Sequence, residues 1–130
     1  MPVVEVRSLP PRSGVDVNQT LKKMNAVIAQ IVGVPERSVW STWQCLATEH
    51  YFEGPIGVAE QPLASHPPLV KFILFEGRSP EVIERTLMAM ADVIVEGFKV
   101  EAGNVFISVH EARSGQLYTG GKIRKRTTNT

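Results

Sequence analysis

Two residue types in this chain could do chemistry, the proline at position 2 and a pair of arginines, Arg12 and Arg78. Removal of Met1 would turn the Pro2 nitrogen from a non-basic amide into a secondary amine whose direction the ring fixes. A free α-amino group titrates near ~8, so such an amine can accept and return protons near neutral pH. Arg12 and Arg78 each precede a serine, and a guanidinium fork suits two-point binding of a carboxylate. These residue types suit acid–base chemistry beside a bound anion.

An internal repeat determines where these residues lie in the chain. A constant offset of 66 residues, without a gap, superimposes Pro2 on Pro68 and Arg12 on Arg78. The same register aligns further identical residues as far as Gly54 and Gly120. Shared apolar periodicity does not explain matched prolines, arginine–serine pairs and glycines at the edges of elements. The chain is therefore interpreted as a duplication, with pseudo-repeats at residues 2–54 and 68–121.

Each repeat is predicted to fold as strand, helix and strand. The first has a β-branched strand at 3–6, an amphipathic helix that ends near Gly33 and a strand at 38–46. The second has an apolar strand at 69–75, a helix capped by Ser79 and a strand at 105–109. Right-handed crossovers place both helices on one side. The predicted fold class is therefore α/β (α+β), with tandem β-α-β units forming a four-stranded mixed sheet and two helices on one face.

The 130 residues are expected to form a single domain. The proline-rich residues 55–67 are predicted to link the repeats, and the basic tail at 122–130 is interpreted as a solvated terminus. Trp40 and Trp43 are expected to make the open face of the sheet too apolar for water. That expectation predicts a homo-oligomer.

Charge, apolar runs and cysteine count indicate which kinds of partner and which cellular compartment to expect for this chain. A formal net charge of +1 is far from the basic excess that nucleic-acid binding needs, so no nucleic-acid partner is expected. No apolar run approaches the roughly 20 residues of a membrane span, and the start lacks the features of a signal peptide. A single cysteine, Cys45, excludes a disulfide framework within the chain and fits a reducing compartment. We therefore predict no membrane association and a cytoplasmic location.

The conjunction of these features resembles the tautomerase superfamily, whose members use an amino-terminal proline. A strand follows Pro2, an arginine–serine pair lies ten residues after it, and a helix and a second strand come next. The second repeat is similar to 4-oxalocrotonate tautomerase (4-OT) from Pro68 through Leu-Val-Lys-Phe-Ile-Leu-Phe-Glu-Gly to Arg78 and Ser79, with Gly120-Gly121 near its end. The resemblance covers all but the linker and the tail. It implies a cofactor-independent keto–enol tautomerase acting on a small 2-oxo acid, assembled as a homotrimer of fused two-unit chains.

The resemblance also implies roles for particular residues. Pro2 matches the general base and acid, and Arg12 matches the arginine that holds a substrate carboxylate, with Arg78 as its repeat partner. Pro68 matches the proline in sequence only, because it is internal and its nitrogen stays an amide. Each chain therefore has at most one working amine.

One departure from the family bears on the substrate. In 4-OT a second arginine follows the valine that matches Val39 and Val105, and this chain has Trp40 and Phe106 there. The incomplete clamp favours a monoacid over a diacid, and the two aromatic rings could form an apolar wall of the site or simply pack in the core. The family's site-lining phenylalanine falls at Leu117, which makes the adjacent Tyr118 a candidate donor to a substrate carbonyl.

Other candidate sites are weaker. His50, His66 and His110 lack the spacing of metal ligands, and Cys45 is expected to be a small buried residue without a base beside it, so no metal and no cofactor are predicted. Two alternatives to the tautomerase stay open. One is a decarboxylase or a hydratase/dehalogenase that uses the same proline on a small 3-carbon acid. The other is a non-catalytic trimer with a vestigial site, which retention of Met1 would favour.

Overall fold

The computed structural model describes residues 1–57 and 68–126. Its elements in chain order are β1 (Val3–Ser8), α1 (Val17–Val32), β2 (Trp40–Cys45), β3 (Phe52–Glu53), β4 (Ile56–Gly57), β5 (Leu69–Phe75), α2 (Pro80–Phe98), β6 (Phe106–Ala112), β7 (Tyr118–Thr119) and β8 (Lys122–Ile123). Most of the predicted linker, residues 58–67, and the end of the predicted tail, residues 127–130, lie outside the described residues. Within the described part of the chain, no helix is both long and apolar enough to cross a bilayer.

The main sheet has four strands in the order β2-β1-β5-β6. The strands within each repeat are parallel, β1 with β2 and β5 with β6, and the two repeats join through the antiparallel pair of β1 and β5. Both helices cover the same face, where the buried side chains of the strands meet them. The predicted mixed sheet with two helices on one face is confirmed.

The register of the central pair shows how the two repeats are related in space. Glu5 lies opposite Lys71, which is its own equivalent 66 residues later. When a residue pairs antiparallel with its own repeat equivalent, a two-fold axis passes between the two, so a rotation relates the repeats. The start of β1 therefore lies beside the end of β5, with Val3 opposite Ile73, and the end of β1 lies beside the start of β5, with Arg7 opposite Leu69.

Local sequence signals determine the ends of the helices. The Ser79 side chain accepts a hydrogen bond from the Val82 N–H at 3.2 Å, and Gly33 ends α1 in the left-handed region at φ 77°. Both ends agree with the predictions from sequence. Lys99 occupies the position equivalent to Gly33 and adopts φ 57°, a conformation that glycine adopts at less cost.

The two helices pack closely where α2 crosses the start of α1. A Cβ atom at Gly97 would lie 2.9 Å from the Thr20 Cβ and closer still to the Thr20 hydroxyl and methyl groups. Thr20 is buried, and its hydroxyl donates to the Asp16 carbonyl at 2.9 Å. Gly97 therefore permits the close approach of the helices that buries the core between them and the sheet.

The open face of the sheet differs from the prediction in two ways. Trp43 packs against the core on the helix side, since alternation along β2 sends Trp40 and Trp43 to opposite faces. The open face carries a groove of about 520 Å³ that polar and apolar side chains line together. Its polar lining includes Glu5, Lys71 and His110 and its apolar lining includes Leu69 and Phe106, so the open face is less apolar than predicted.

Cys45 also departs from its prediction. It lies at the end of edge strand β2 and is exposed, so the expectation of a buried thiol is wrong. The run of residues that favours a strand from sequence did not indicate that this strand lies at the edge of the sheet.

Candidate active site

Pro2 lies buried at the start of β1, between the start of β2 and the end of β5. The Trp40 N–H donates to the Pro2 carbonyl at 3.0 Å, and Val3 pairs with Trp40 on one side and Ile73 on the other. Because β5 runs antiparallel to β1, the turn that follows Phe75 brings Arg78 to the same end of the sheet. The two-fold relation of the repeats thus places the arginine of the second repeat at the proline of the first.

Two cavities open around the first residue of the chain. One, of about 250 Å³, is lined by Phe75, Arg78 and Leu117, among others. The other, of about 490 Å³, is lined by Pro35, Arg37 and Trp40, among others. Met1, Thr119 and Arg124 line both cavities. Met1 therefore lies on a wall that the two cavities share.

The electrostatics at this point favour an uncharged amine. The pKa of the Met1 α-amine is lowered from its usual value, first by burial and then by the positive charges of Arg78 and Arg124. Burial and nearby cations both destabilise the ammonium form relative to the free base. A free base is the form that can accept a proton.

Arg12 lies away from this site within one chain. Its guanidinium donates to the Lys99 carbonyl at 2.8 Å, at the C-terminal end of α2. Arg12 follows the end of β1, whereas Pro2 precedes its start, and a six-residue strand spans about 20 Å. The structure therefore brings Arg78 to Pro2 and leaves Arg12 at the end of β1 where Leu69 lies.

Trp40 and Phe106, the two aromatic residues predicted to line the site, lie at opposite ends of the sheet. Trp40 lines the larger cavity beside Met1, and its side chain is 54% exposed. Phe106 pairs with Leu69 at the opposite end of the sheet and lines the groove of the open face. The two-fold relation explains the separation, because Phe106 is the equivalent of Trp40 in the other repeat.

Tyr118 is not brought into the site. Its neighbours Leu117 and Thr119 line the smaller cavity, and Tyr118 is 70% exposed. Side chains alternate along a strand, so the residue between two inward-facing residues faces away. The Thr119 hydroxyl instead contacts the Met1 sulfur at 3.3 Å.

Sequence reasoning missed Arg124, which it assigned to a solvated tail. Gly120 and Gly121 have φ of 63° and 81° and form the two-residue turn of the hairpin between β7 and β8. The Arg124 N–H donates to the Leu117 carbonyl at 2.7 Å, which extends the pairing of the hairpin beyond β8. Arg124 therefore lies beside Met1, with which it lines both cavities. The Gly-Gly pair after Leu117-Tyr118-Thr119 was the available signal for this hairpin, and residues 122–126 are mostly exposed, as expected for a solvated segment, with Arg124 partly buried.

The described residues offer little to a metal ion. Across residues 1–57 and 68–126, no three histidine, cysteine, aspartate or glutamate side chains are grouped as ligands. The residues around Met1 can instead hold an anion through arginine and lysine side chains.

Comparison with known proteins shows what this architecture is similar to. No protein-family model and no curated protein matches the sequence. Among solved structures, a native fused 4-OT superposes with a TM-score of 0.76 at 19% identity, covering 93% of this chain and 94% of that chain. This chain has the fused 4-OT fold. The resemblance to the tautomerase superfamily is thus confirmed for the fold.

Two further structures share the fused 4-OT fold. A fused 4-OT described as an asymmetric trimer superposes with a TM-score of 0.76 at 18% identity, covering 93% of this chain and 94% of that chain. A member of the cis-3-chloroacrylic acid dehalogenase family superposes with a TM-score of 0.69 at 16% identity, covering 93% of this chain and 82% of that chain. The fused 4-OT fold is therefore found in proteins whose names refer to two different reactions.

Proposed function

We propose that this chain is a cofactor-independent keto–enol tautomerase of the tautomerase superfamily, acting on a small 2-oxo acid with Pro2 as base and acid. The observation that carries the proposal is the position of Pro2. It is buried at the start of β1 and directly follows Met1. Burial and the charges of Arg78 and Arg124 lower the pKa of the Met1 α-amine. The shared fold of the fused 4-OT structures supports the proposal.

The proposed reaction needs an amine at residue 2, and therefore the removal of Met1. The free amine takes the proton of the enol hydroxyl, so an O–H bond breaks and an N–H bond forms. The enolate electron pair then forms a C–H bond with the proton that Pro2 returns, which yields the keto acid and regenerates the free amine. Arg78 holds the carboxylate and stabilises the negative charge of the enolate.

The magnitudes indicate which effect matters more. Lowering an amine pKa from ~8 to ~7 raises its free-base fraction at neutral pH from roughly a tenth to a half, worth about 1 kcal/mol. A placed donor to a developing enolate is typically worth about 3 to 4 kcal/mol. The arginine should therefore contribute more to the rate than the lowered pKa of the amine.

The geometry favours tautomerisation over hydration. A hydratase or dehalogenase needs a carboxylate to activate water, and none of the described residues of this chain that line the two cavities is acidic. A decarboxylase would release carbon dioxide from a small 3-carbon acid. Retention of Met1 would leave no amine at Pro2 and would favour a non-catalytic protein, and intact mass measurement of the mature chain would detect it.

The test of the proposal is the ketonisation of phenylenolpyruvate by the mature protein, followed by absorbance. We expect turnover by the wild type and the loss of most activity in Pro2→Ala, because a flexible primary amine replaces the ring-fixed secondary amine. Equal rates for the two proteins, above the rate of the buffer, would refute the role of Pro2.

We also propose that the chain forms a homotrimer. The trimeric fused 4-OT of the same fold supports this assembly, as does the exposure of several large apolar side chains. These include Trp40, Phe52, Ile56 and Phe106. A mass close to the 14.3 kDa of one chain in sedimentation equilibrium would refute it.

A further inference from the structure

We infer that Arg124, from the segment after β8, binds the substrate carboxylate together with Arg78 and thereby selects substrates that carry a carboxylate beside the reacting carbonyl. The inference deepens the proposed function, on which it rests. It gives a role in the site to a residue that lies outside both pseudo-repeats.

The position of Arg124 is the first argument. It is one of three residues, with Met1 and Thr119, that line both cavities around the first residue. Removal of Met1 takes away part of the wall that the cavities share. Arg124 would then line a single larger space together with Arg78.

The second argument is that the backbone holds Arg124 in place. Its N–H donates to the Leu117 carbonyl at 2.7 Å, and its carbonyl accepts from the Gly115 N–H at 2.8 Å. Its guanidinium lies close over Gly120, since a Cβ atom there would be 3.3 Å from Nη2. An arginine positioned in advance loses less conformational freedom when it binds a ligand.

The charge of the surroundings is the third argument. Arg37, Arg78, Arg124 and Lys125 line the two cavities, and no acidic residue is among their described lining residues. The charges of Arg78 and Arg124 both lower the pKa of the Met1 α-amine, so the two cations lie near the same point in the structure. A cluster of cations without a lining carboxylate attracts an anionic ligand, and arginine pairs bind carboxylates through charge-assisted hydrogen bonds.

Trp40 and Arg124 line the same cavity, so an aromatic ring and a cation border the space beside Met1.

The experiment compares Arg124→Gln with Lys122→Gln, a matched loss of one charge on the same hairpin at an exposed residue that lines neither cavity. Calorimetry on the mature protein would measure the Kd of phenylpyruvate, and absorbance would measure the KM of phenylenolpyruvate. We expect Arg124→Gln to raise both by about 10- to 100-fold and Lys122→Gln to leave both within about twofold. Arg124→Gln should change the Kd of the methyl ester of phenylpyruvate much less, because the ester lacks the charged group.

The two readouts separate this inference from the proposed function. Wild-type Kd and KM in a folded Arg124→Gln variant would overturn the role of Arg124 and leave the tautomerase intact. Binding that Arg124→Gln weakens in a protein without turnover would refute the tautomerase and support the anion site. An equal loss of affinity for acid and ester, or no binding of phenylpyruvate to the wild type, would overturn the inference.

Discussion

Arg12 and Arg78 are equivalent in the repeat, but the fold gives them different neighbours. Arg78 lines a cavity with Met1, whereas Arg12 donates to the carbonyl of Lys99 at the end of α2. The last carbonyls of a helix lack partners within the helix, so a donor there stabilises the fold. The same residue type therefore has a proposed role in binding at one position and in stability at the other.

Substitution of each arginine by alanine should separate these roles. We expect Arg78→Ala to lower kcat/KM for phenylenolpyruvate by about 100-fold, and Arg12→Ala to leave it within about twofold. Arg12→Ala should instead lower the free energy of unfolding in urea by about 1 kcal/mol. A loss of kcat/KM in Arg12→Ala as large as in Arg78→Ala would mean that Arg12 from another protomer serves the site.

At the scale of elements, the crossing of α1 and α2 depends on one small residue. Gly97 lies against buried Thr20, and a methyl group has no room there. We expect Gly97→Ala to lower the free energy of unfolding by about 1 to 2 kcal/mol, since overpacking outweighs the gain in helix propensity. Urea unfolding followed by circular dichroism would measure the change.

Gly103→Ala is the control for this prediction. A Cβ atom at Gly103 would meet no atom within 4 Å, and the residue is exposed. Its free energy of unfolding should stay within about 0.5 kcal/mol of the wild type. A Gly97→Ala variant as stable as Gly103→Ala would show that the helices can separate at no cost.

Much of the local structure could be predicted from sequence. The apolar run at 69–75 predicted the bounds of β5, Gly33 predicted the end of α1, and Ser79 predicted the start of α2. The 66-residue offset relates each strand and hairpin of the first repeat to its equivalent in the second. The contacts of short elements could not be predicted in the same way. Tyr118 and Leu117 are neighbours in sequence, and only the orientation of the strand decides which one faces the cavity.

At the scale of the whole molecule, the decisive feature is the rotation that relates the two repeats. A repeat in the sequence is compatible with translation or with rotation, and the antiparallel pairing of Glu5 with Lys71 selects rotation. Rotation exchanges partners between the repeats, which is why Arg78 and not Arg12 lies near Pro2 in one chain. The composition of the site therefore depends on sheet topology, which the matched residues alone do not determine.

The pH dependence of the proposed enzyme follows from this arrangement. Burial and the charges of Arg78 and Arg124 lower the pKa of the Met1 α-amine, and we expect the same causes to lower the pKa of the Pro2 amine once Met1 is removed. The protonated amine cannot act as a base, so activity is lost as the pH falls through that pKa and is full above it. Removal of either arginine charge should raise the pKa and move the activity profile to higher pH.

The central claim is that residue 2 carries a free amine whose pKa the fold lowers. Nitrogen NMR of the mature protein, labelled with ¹⁵N-proline and titrated with acid, would test it directly. We predict one secondary-amine signal, apart from the amide nitrogens of the other prolines, that titrates below the usual ~8 of an α-amine and shifts upward in Arg78→Gln. A Pro2 nitrogen that remains an amide, or an amine that titrates at or above ~8, would contradict the account.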